Sequence, residues 1–177
     1  MKSIRAFCLY SLLSLTCVSC IIDEAAPPDK VEGYAPVYIT RAGADTVLFT
    51  QPRNTVQAGK IVLHGNILYQ VEQYYGIHII DLTDPEHANK IGFYEIFGCT
   101  ELTLQGSYLY TNSGNDFLVI DISMPEQPRV ADYKAGYFSG ISFPPPPAKG
   151  YFECPDPAKG IVAGWEKKTL NRPQCRY

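Results

Sequence analysis

Histidine and cysteine are the residue types in this chain best suited to bind a metal ion or to carry covalent chemistry. The three histidines, His64, His78 and His87, form no HExxH or His-x-His pattern that would set two imidazoles on one metal ion. The chain also lacks a Gly-x-Ser-x-Gly sequence, the pattern of a serine nucleophile on a sharp turn. We therefore predict no catalytic residue, no metal ligand, no cofactor and no enzyme activity.

Carboxylate pairs are the second group with catalytic potential. Asp81 and Asp84 are close in sequence, but a glycosidase needs an acid and a nucleophile that face each other across the substrate. The sequence therefore favours structural roles for these carboxylates.

Two cysteines near the C-terminus, Cys154 and Cys175, could close a disulfide loop around Trp165. Two alternatives stay open, namely that both thiols are free or that Cys99 pairs with one of them. Neither a CxxC motif nor clustered histidines accompany this pair, which disfavours a metal site.

The N-terminal sequence predicts that the protein is exported and anchored to a membrane. Lys2 and Arg5 precede an uncharged segment over 6–18, which has the length of a signal-peptide core and is too short to span a bilayer. Ser19 before Cys20 resembles a bacterial lipobox, which implies a signal peptide over 1–19 and lipidation at Cys20. An ordinary secretory signal is the alternative.

A lipid on Cys20 would make the membrane a partner and would place the protein in the bacterial cell envelope, at the outer membrane or the cell surface. Residues 20–35 contain adjacent prolines and no hydrophobic period, and we predict a lipidated tether there.

The amino-acid composition favours an all-β domain. The chain has 177 residues, 46% of them hydrophobic, with 14 Gly, 14 Pro, 13 Tyr and 8 Phe, which favour turns and aromatic-rich strands. The net charge is −3 and there is no run of Lys or Arg, which argues against binding to nucleic acid.

The central part of the chain contains an internal repeat of about forty residues. The segment 61–69 matches 102–110 at an offset of 41, and 77–86 matches 117–126 at an offset of 40. The sequence pattern predicts four short strands in each unit. In unit one they are 61–64, 67–72, 77–81 and 90–96. In unit two they are 102–105, 108–112, 117–122 and 129–134.

Six residues are predicted at turns within these units. Gly65 and Gly106 supply the positive φ that a tight hairpin turn requires. Asp81 and Asp121 end a strand, where a short carboxylate can accept hydrogen bonds from nearby backbone amides. Each is followed by a proline that fixes the next turn, and these prolines are Pro85 and Pro125.

The segments 117–125 and 77–85 resemble the core of the LVIVD repeat, a repeat of extracytoplasmic bacterial proteins. The resemblance implies propeller-like blades over about 60–98 and 99–136 in a lipoprotein of uncharacterised role. A closed propeller needs typically four to eight blades, and only two are visible. We therefore predict an all-β domain over 36–136 that is incomplete as a closed propeller.

Terminal strands are expected to cap the two units. Candidates are 36–40 and 46–50 for unit one, and 160–165 for unit two or for another strand. Residues 137–177 are predicted to form a proline-rich spacer and a cysteine-containing tail. Without caps, the exposed edges invite association with a second copy of the chain.

The leading functional hypothesis is a membrane-anchored, non-enzymatic interaction or scaffold module with an unidentified protein or glycan partner. One alternative is a surface glycan-binding or glycan-processing accessory protein, since a set of tyrosines could line a glycan- or protein-binding face. Most of these tyrosines are better explained as strand residues that pack across a sheet. The set is Tyr74, Tyr75, Tyr94, Tyr108, Tyr110, Tyr133 and Tyr137. Another alternative is a shortened relative of a longer LVIVD-repeat protein.

Overall fold

The computed structural model describes residues 26–40, 46–140 and 143–177. Over these residues it confirms the all-β prediction, because it contains strands and a single 3-10 turn at Pro157–Lys159. No helix in these three ranges is long and apolar enough to cross a membrane. The strands are β1 Lys30–Ile39, β2 Leu48–Thr50, β3 Ala58–His64, β4 Ile67–Glu72, β5 Gly76–Asp81, β6 Asn89–Glu95, β7 Leu102–Gln105, β8 Tyr108–Ser113, β9 Asp116–Asp121, β10 Arg129–Lys134, β11 Tyr151–Phe152, β12 Ile161–Asn171 and β13 Cys175–Arg176.

The two repeat units form separate antiparallel sheets. Unit one has the order β2-β6-β5-β4-β3, and unit two has the order β10-β9-β8-β7. The predicted strands agree with the observed ones because apolar residues alternate along them and glycine turns separate them. Strand β2 adds to the outer edge of unit one beside β6, as expected for a capping strand in 46–50.

One face of each unit packs against the other unit in a single buried cluster. Unit one contributes Tyr69, Ile77 and Ile79 among others, and unit two contributes Leu109 and Leu118. Successive strand residues point to opposite faces, so each sheet keeps an outer face turned away from this cluster. The two outer faces carry the polar and aromatic groups described below.

The structure differs from the prediction at both ends of the chain. Strand β1 pairs with β12 over ten residues, from Lys30 opposite Asn171 to Ile39 opposite Ile161. With β11 and β13 these strands form a third sheet of order β12-β1-β11-β13. Residues 30–35 are therefore a strand and not part of a tether, and 36–40 does not cap unit one.

The predicted spacer and tail are likewise part of this third sheet. The Trp165 ring makes edge contacts with Phe143 and Phe152, and its indole N–H donates to the Pro144 carbonyl (2.8 Å). Ordered packing replaces a free tail because the indole and the proline segment bury apolar surface together. Ile161 packs over Gly114, which brings the third sheet against unit two.

Candidate functional site

The residues predicted at turns occupy the ends of strands or the connections between them. Gly65 and Gly106 have φ of 59° and 58°. The Asp81 carboxylate accepts from the backbone and hydroxyl of Thr83, and Asp121 accepts from the backbone of Ser123 (2.9 Å). These bonds hold the pKa of each carboxyl below its usual value. The six residues are Gly65, Gly106, Asp81, Pro85, Asp121 and Pro125.

The structure confirms a disulfide between Cys154 and Cys175. It ties the segment after β11 to β13 in the third sheet. Cys99 is a free, buried cysteine, and burial raises the pKa of its thiol to about 12. Since the thiolate is the reactive form, Cys99 belongs to the core and not to a reactive site. Cys20 lies outside the described residues.

A polar cluster lies on the outer face of unit one. We call the segment Gln51–Gln57 the strap, because it runs across this face. The backbone N–H groups of Val56 and Gln57 donate to the Glu72 carboxylate, with Val56 at 3.0 and 3.1 Å from its two oxygens. His78 Nε2 lies 3.0 Å from Glu72 Oε2. Glu72 therefore joins the strap to the centre of the sheet.

Cationic groups complete the attachment of the strap. The Lys90 ammonium donates to the Arg53 carbonyl (3.0 Å) and to the Thr55 hydroxyl (2.7 Å). The Arg53 guanidinium lies 4.0 Å from the centre of the Phe93 ring and pairs with Glu95 at 3.0 Å. A cation over an aromatic face is attracted by the ring quadrupole, so the strap is held at both ends.

The protonation states in this cluster follow from burial and hydrogen bonding. Burial lowers the pKa of His78 by more than its bond to Glu72 raises it, and the imidazole is neutral at pH 7. Burial raises the pKa of Glu72, but the hydrogen bonds from His78, Gln57 and Val56 outweigh burial and bring it below the usual value. An ionised carboxylate therefore accepts all three donors.

The Glu72–His78 pair resembles an acid–base dyad, but its surroundings assign it a structural role. The side chain of His78 is 0% exposed, and its Nδ1 finds no hydrogen-bond partner among the described residues. A general base must come within hydrogen-bond reach of a substrate proton, and nothing can reach this imidazole from solvent. The sequence pattern argued against a metal-ligand role for His78, and the feature that it missed was the pairing of His78 with Glu72.

The outer face of unit two carries an exposed aromatic cluster. We call Tyr110, Phe117, Tyr137 and Phe138 the aromatic patch. The Phe117 ring lies 6.3, 5.2 and 6.2 Å from the rings of Tyr110, Tyr137 and Phe138. Tyr137 is 55% exposed and Phe138 is 40% exposed. The structure thus brings two of the predicted tyrosines together with two phenylalanines that the sequence analysis did not single out.

An open cavity of about 230 Å³ borders the aromatic patch at Phe138. Its walls include polar groups of Thr100, Glu101 and Asn112. The Asn112 amide is buried and bonded to the carbonyls of Gly98 (2.9 Å) and Gly114 (3.0 Å), which fixes the shape of the cavity. Aromatic rings beside convergent polar groups can hold a ligand by stacking and hydrogen bonding.

Other predicted tyrosines do not join this patch. Tyr94 is buried between the units and donates its hydroxyl to the Pro125 carbonyl (2.8 Å), and burial raises its pKa. Tyr133 donates to Asp116 (2.6 Å). No group of three or more His, Cys, Asp or Glu side chains in the described ranges could hold a metal ion.

Comparison with known proteins identifies one repeat. Residues 99–132 match the family model described as the LVIVD repeat. No curated protein and no solved structure matches the chain. The match spans β7 to β9 and most of β10, and unit one repeats the same order of strands. The LVIVD repeat is not an enzyme family. Residues 99–132 are thus similar to the LVIVD repeat, and the chain is a repeat-containing, β-rich protein.

Proposed function

We propose that this protein is a membrane-anchored extracytoplasmic lipoprotein that acts as a non-enzymatic interaction module or scaffold. The observation that carries the proposal is the aromatic patch, in which Tyr137 and Phe138 are exposed and Tyr110 and Phe117 are partly exposed. Aromatic side chains, tyrosine and phenylalanine among them, are enriched at protein interfaces, because they bury a large area at a small cost in conformational entropy.

The rest of the molecule supports binding over catalysis. The Glu72–His78 pair is enclosed beneath the strap, and the Cys99 thiol is buried and protonated. The aromatic patch, in contrast, combines exposed rings with a cation, since the Lys134 ammonium lies 5.3 Å from the centre of the Tyr137 ring. Such a surface recognises a partner by apolar contact, with a charge at its rim.

Membrane anchoring is tested at Cys20. We expect the full chain to incorporate a labelled fatty acid in a bacterial host and to fractionate with membranes. Cys20→Ser should abolish both, because the acyl chains supply the membrane affinity. Cys17→Ser is the matched control and should leave labelling unchanged. Labelling that persists in Cys20→Ser and disappears in Cys17→Ser would refute the assignment.

Partner binding is tested by placing a photo-crosslinking amino acid at Tyr137 in the full chain. We expect discrete cross-linked adducts from cells after irradiation. Val37 is the matched control position, since it is 43% exposed on strand β1 of the third sheet. Equal adducts from both positions, or none from Tyr137, would contradict the proposed interaction surface.

A second candidate function is binding of an envelope glycan, favoured by the cavity beside Phe138. Sugar rings stack on aromatic faces, and the exposed Glu101 carboxylate can accept hydrogen bonds from hydroxyl groups. An array of bacterial glycans probed with the purified full chain would test this candidate. Binding should be lost in Phe138→Ala and kept in Tyr177→Ala, which removes an aromatic ring that is also 55% exposed. An array without binding would exclude this candidate.

A further inference from the structure

The internal packing of the two units shows what each outer face could contact. Leu102 and Leu109 of unit two are buried against unit one. Their counterparts at the offset of 41 are Ile61 and Leu68, which lie on the outer face of unit one. Leu102 is 0% exposed, whereas Ile61 is 57% exposed. Along β3, unit one therefore exposes apolar residues whose counterparts on β7 are packed against the other unit.

The same relation holds for the other pair of faces. Tyr69 and Ile79 of unit one are buried against unit two. Their counterparts Tyr110 and Val119 face outward on unit two, where both are only partly buried. Each unit thus has one face packed against the other unit and one outer face, and the two outer faces correspond to the two halves of the packed interface. The strap covers the middle of the outer face of unit one, and Tyr137 and Phe138 lie against Phe117 on that of unit two.

We infer that copies of this chain associate head to tail, with the outer face of unit two packed on the outer face of unit one of a second copy. The inference rests on the proposed interaction function and names its partner. It repeats between copies the part of the packing that joins β3 to β7 within one copy. A heterologous contact of this kind leaves one free face at each end, so assemblies extend until they close into a ring.

The strap limits where the second copy can sit. It covers His78 and Phe93 in the middle of the sheet, and both are fully buried. The side chains of Ile61 and Leu63 on β3 remain free, and Leu63 is 60% exposed. Within one copy β3 lies beside β7. The contact between copies therefore brings β7 and β8 of one copy against β3 and β4 of the next, with Tyr108 facing Leu63.

Charge at the edge of the interface favours the same arrangement. Within one copy the Lys60 ammonium pairs with Glu101 at 3.4 Å across the two units. Lys60 and Glu101 occupy equivalent positions in their repeats, at the offset of 41. In a head-to-tail contact Glu101 of one copy therefore meets Lys60 of the next, and the charges are again opposite.

The test uses two differently tagged full-length chains that are co-expressed and extracted in detergent. Wild-type chains should co-purify. Leu63→Glu on both chains should reduce co-purification about tenfold or more, because a carboxylate would be buried without a partner. Tyr108→Glu on both chains should do the same. Leu63→Glu co-expressed with Tyr108→Glu should restore it, since one intact face of each kind remains.

Val37→Glu on both chains is the matched control and should leave co-purification unchanged, because Val37 lies on the third sheet. Wild-type chains that do not co-purify would overturn the inference, and so would two variants that fail to complement each other. A cross-linked adduct at Tyr137 with a different protein, found together with no self-association, would overturn this inference and leave the proposed function standing.

Discussion

The attachment of the strap to Glu72 allows a quantitative test of the fold. Glu72→Gln keeps the size of the side chain, removes its charge and replaces one acceptor oxygen with a donor. In the structure both carboxylate oxygens accept hydrogen bonds from the strap, and Oε2 also contacts His78. Whichever oxygen it replaces, the NH2 group of glutamine therefore points at the Val56 N–H, and one of the two bonds from this donor is lost.

The magnitude follows from the number of bonds affected. A hydrogen bond to a charged group contributes roughly 1.5–3 kcal/mol. Glutamine keeps one acceptor oxygen, so the substitution weakens the remaining bonds and removes about one of them. We expect the free energy of unfolding to fall by about 2 kcal/mol. The loss is concentrated at the strap because, among the residues that the structure describes, Glu72 is the one hydrogen-bond acceptor of the Val56 and Gln57 amides.

Glu101→Gln is the matched control. It makes the same chemical change in an exposed carboxylate that pairs with Lys60 at 3.4 Å. An exposed pair contributes roughly 0–1 kcal/mol, so this variant should unfold close to the wild type.

Urea unfolding measures the stability of both variants, and hydrogen exchange at the Val56 and Gln57 amides reports the strap directly. In Glu72→Gln these two amides should exchange faster than in the wild type, while those of the unit-two strands remain protected. If the two variants had equal stability and equal exchange at Val56, Glu72 would not be the attachment point of the strap.

Three further predictions concern titration, the disulfide and a turn. The pKa of His78 lies below its ordinary value of 6.5, so the unfolded chain binds a proton that the folded chain does not, and stability should fall as the pH drops below about 6.5. In His78→Gln, urea unfolding between pH 5 and 7 should show a flatter dependence, and an unchanged slope would refute this. Replacing Cys154 and Cys175 by serine should lower the free energy of unfolding by about 3 kcal/mol, as for a loop of this size. An unchanged melting temperature after replacement would contradict it. Gly65→Ala should cost about 1 kcal/mol because its φ of 59° disfavours a Cβ, whereas Gly164→Ala meets nothing within 4 Å and should be near neutral in a thermal melt.

The strands of the two repeat units could be predicted from the sequence because their signals are local. Apolar residues alternate with polar ones, and Gly65 and Gly106 separate the strands of each first hairpin. The strand register within a hairpin is set by the turn and by the side that must be buried. The observed bounds Ile67–Glu72 and Leu102–Gln105 coincide with the predicted ones for this reason.

The third sheet could not be predicted in the same way. Strand β12 ends in a polar stretch, Glu166–Thr169, that has no apolar alternation. Its partner β1 lies more than 120 residues earlier in the chain. Pairing at that distance leaves no local signal, because the two backbones meet only after the rest of the chain has folded between them.

Register also depended on the tertiary structure. In sequence, Lys90–Tyr94 lines up with Arg129–Tyr133 at an offset of 39. In the structure Tyr94 lies opposite Ile77, whereas Tyr133 lies opposite Leu118 and not Phe117. A shift of one residue moves a side chain to the other face of a sheet. Lys134 lies opposite Phe117, so the last strands of the two units are equivalent at an offset of 40, and Tyr94 corresponds to Lys134.

By itself the sequence determined the all-β class, the two units, their turns and the absence of a recognisable catalytic motif, because each depends on residue types at short spacing. Only the tertiary structure decided that Glu72 and His78 hold the strap, that four aromatic rings form one exposed patch, and which face of each unit remains free. Those features join residues from separate strands and loops, and their proximity exists only after the sheets have packed.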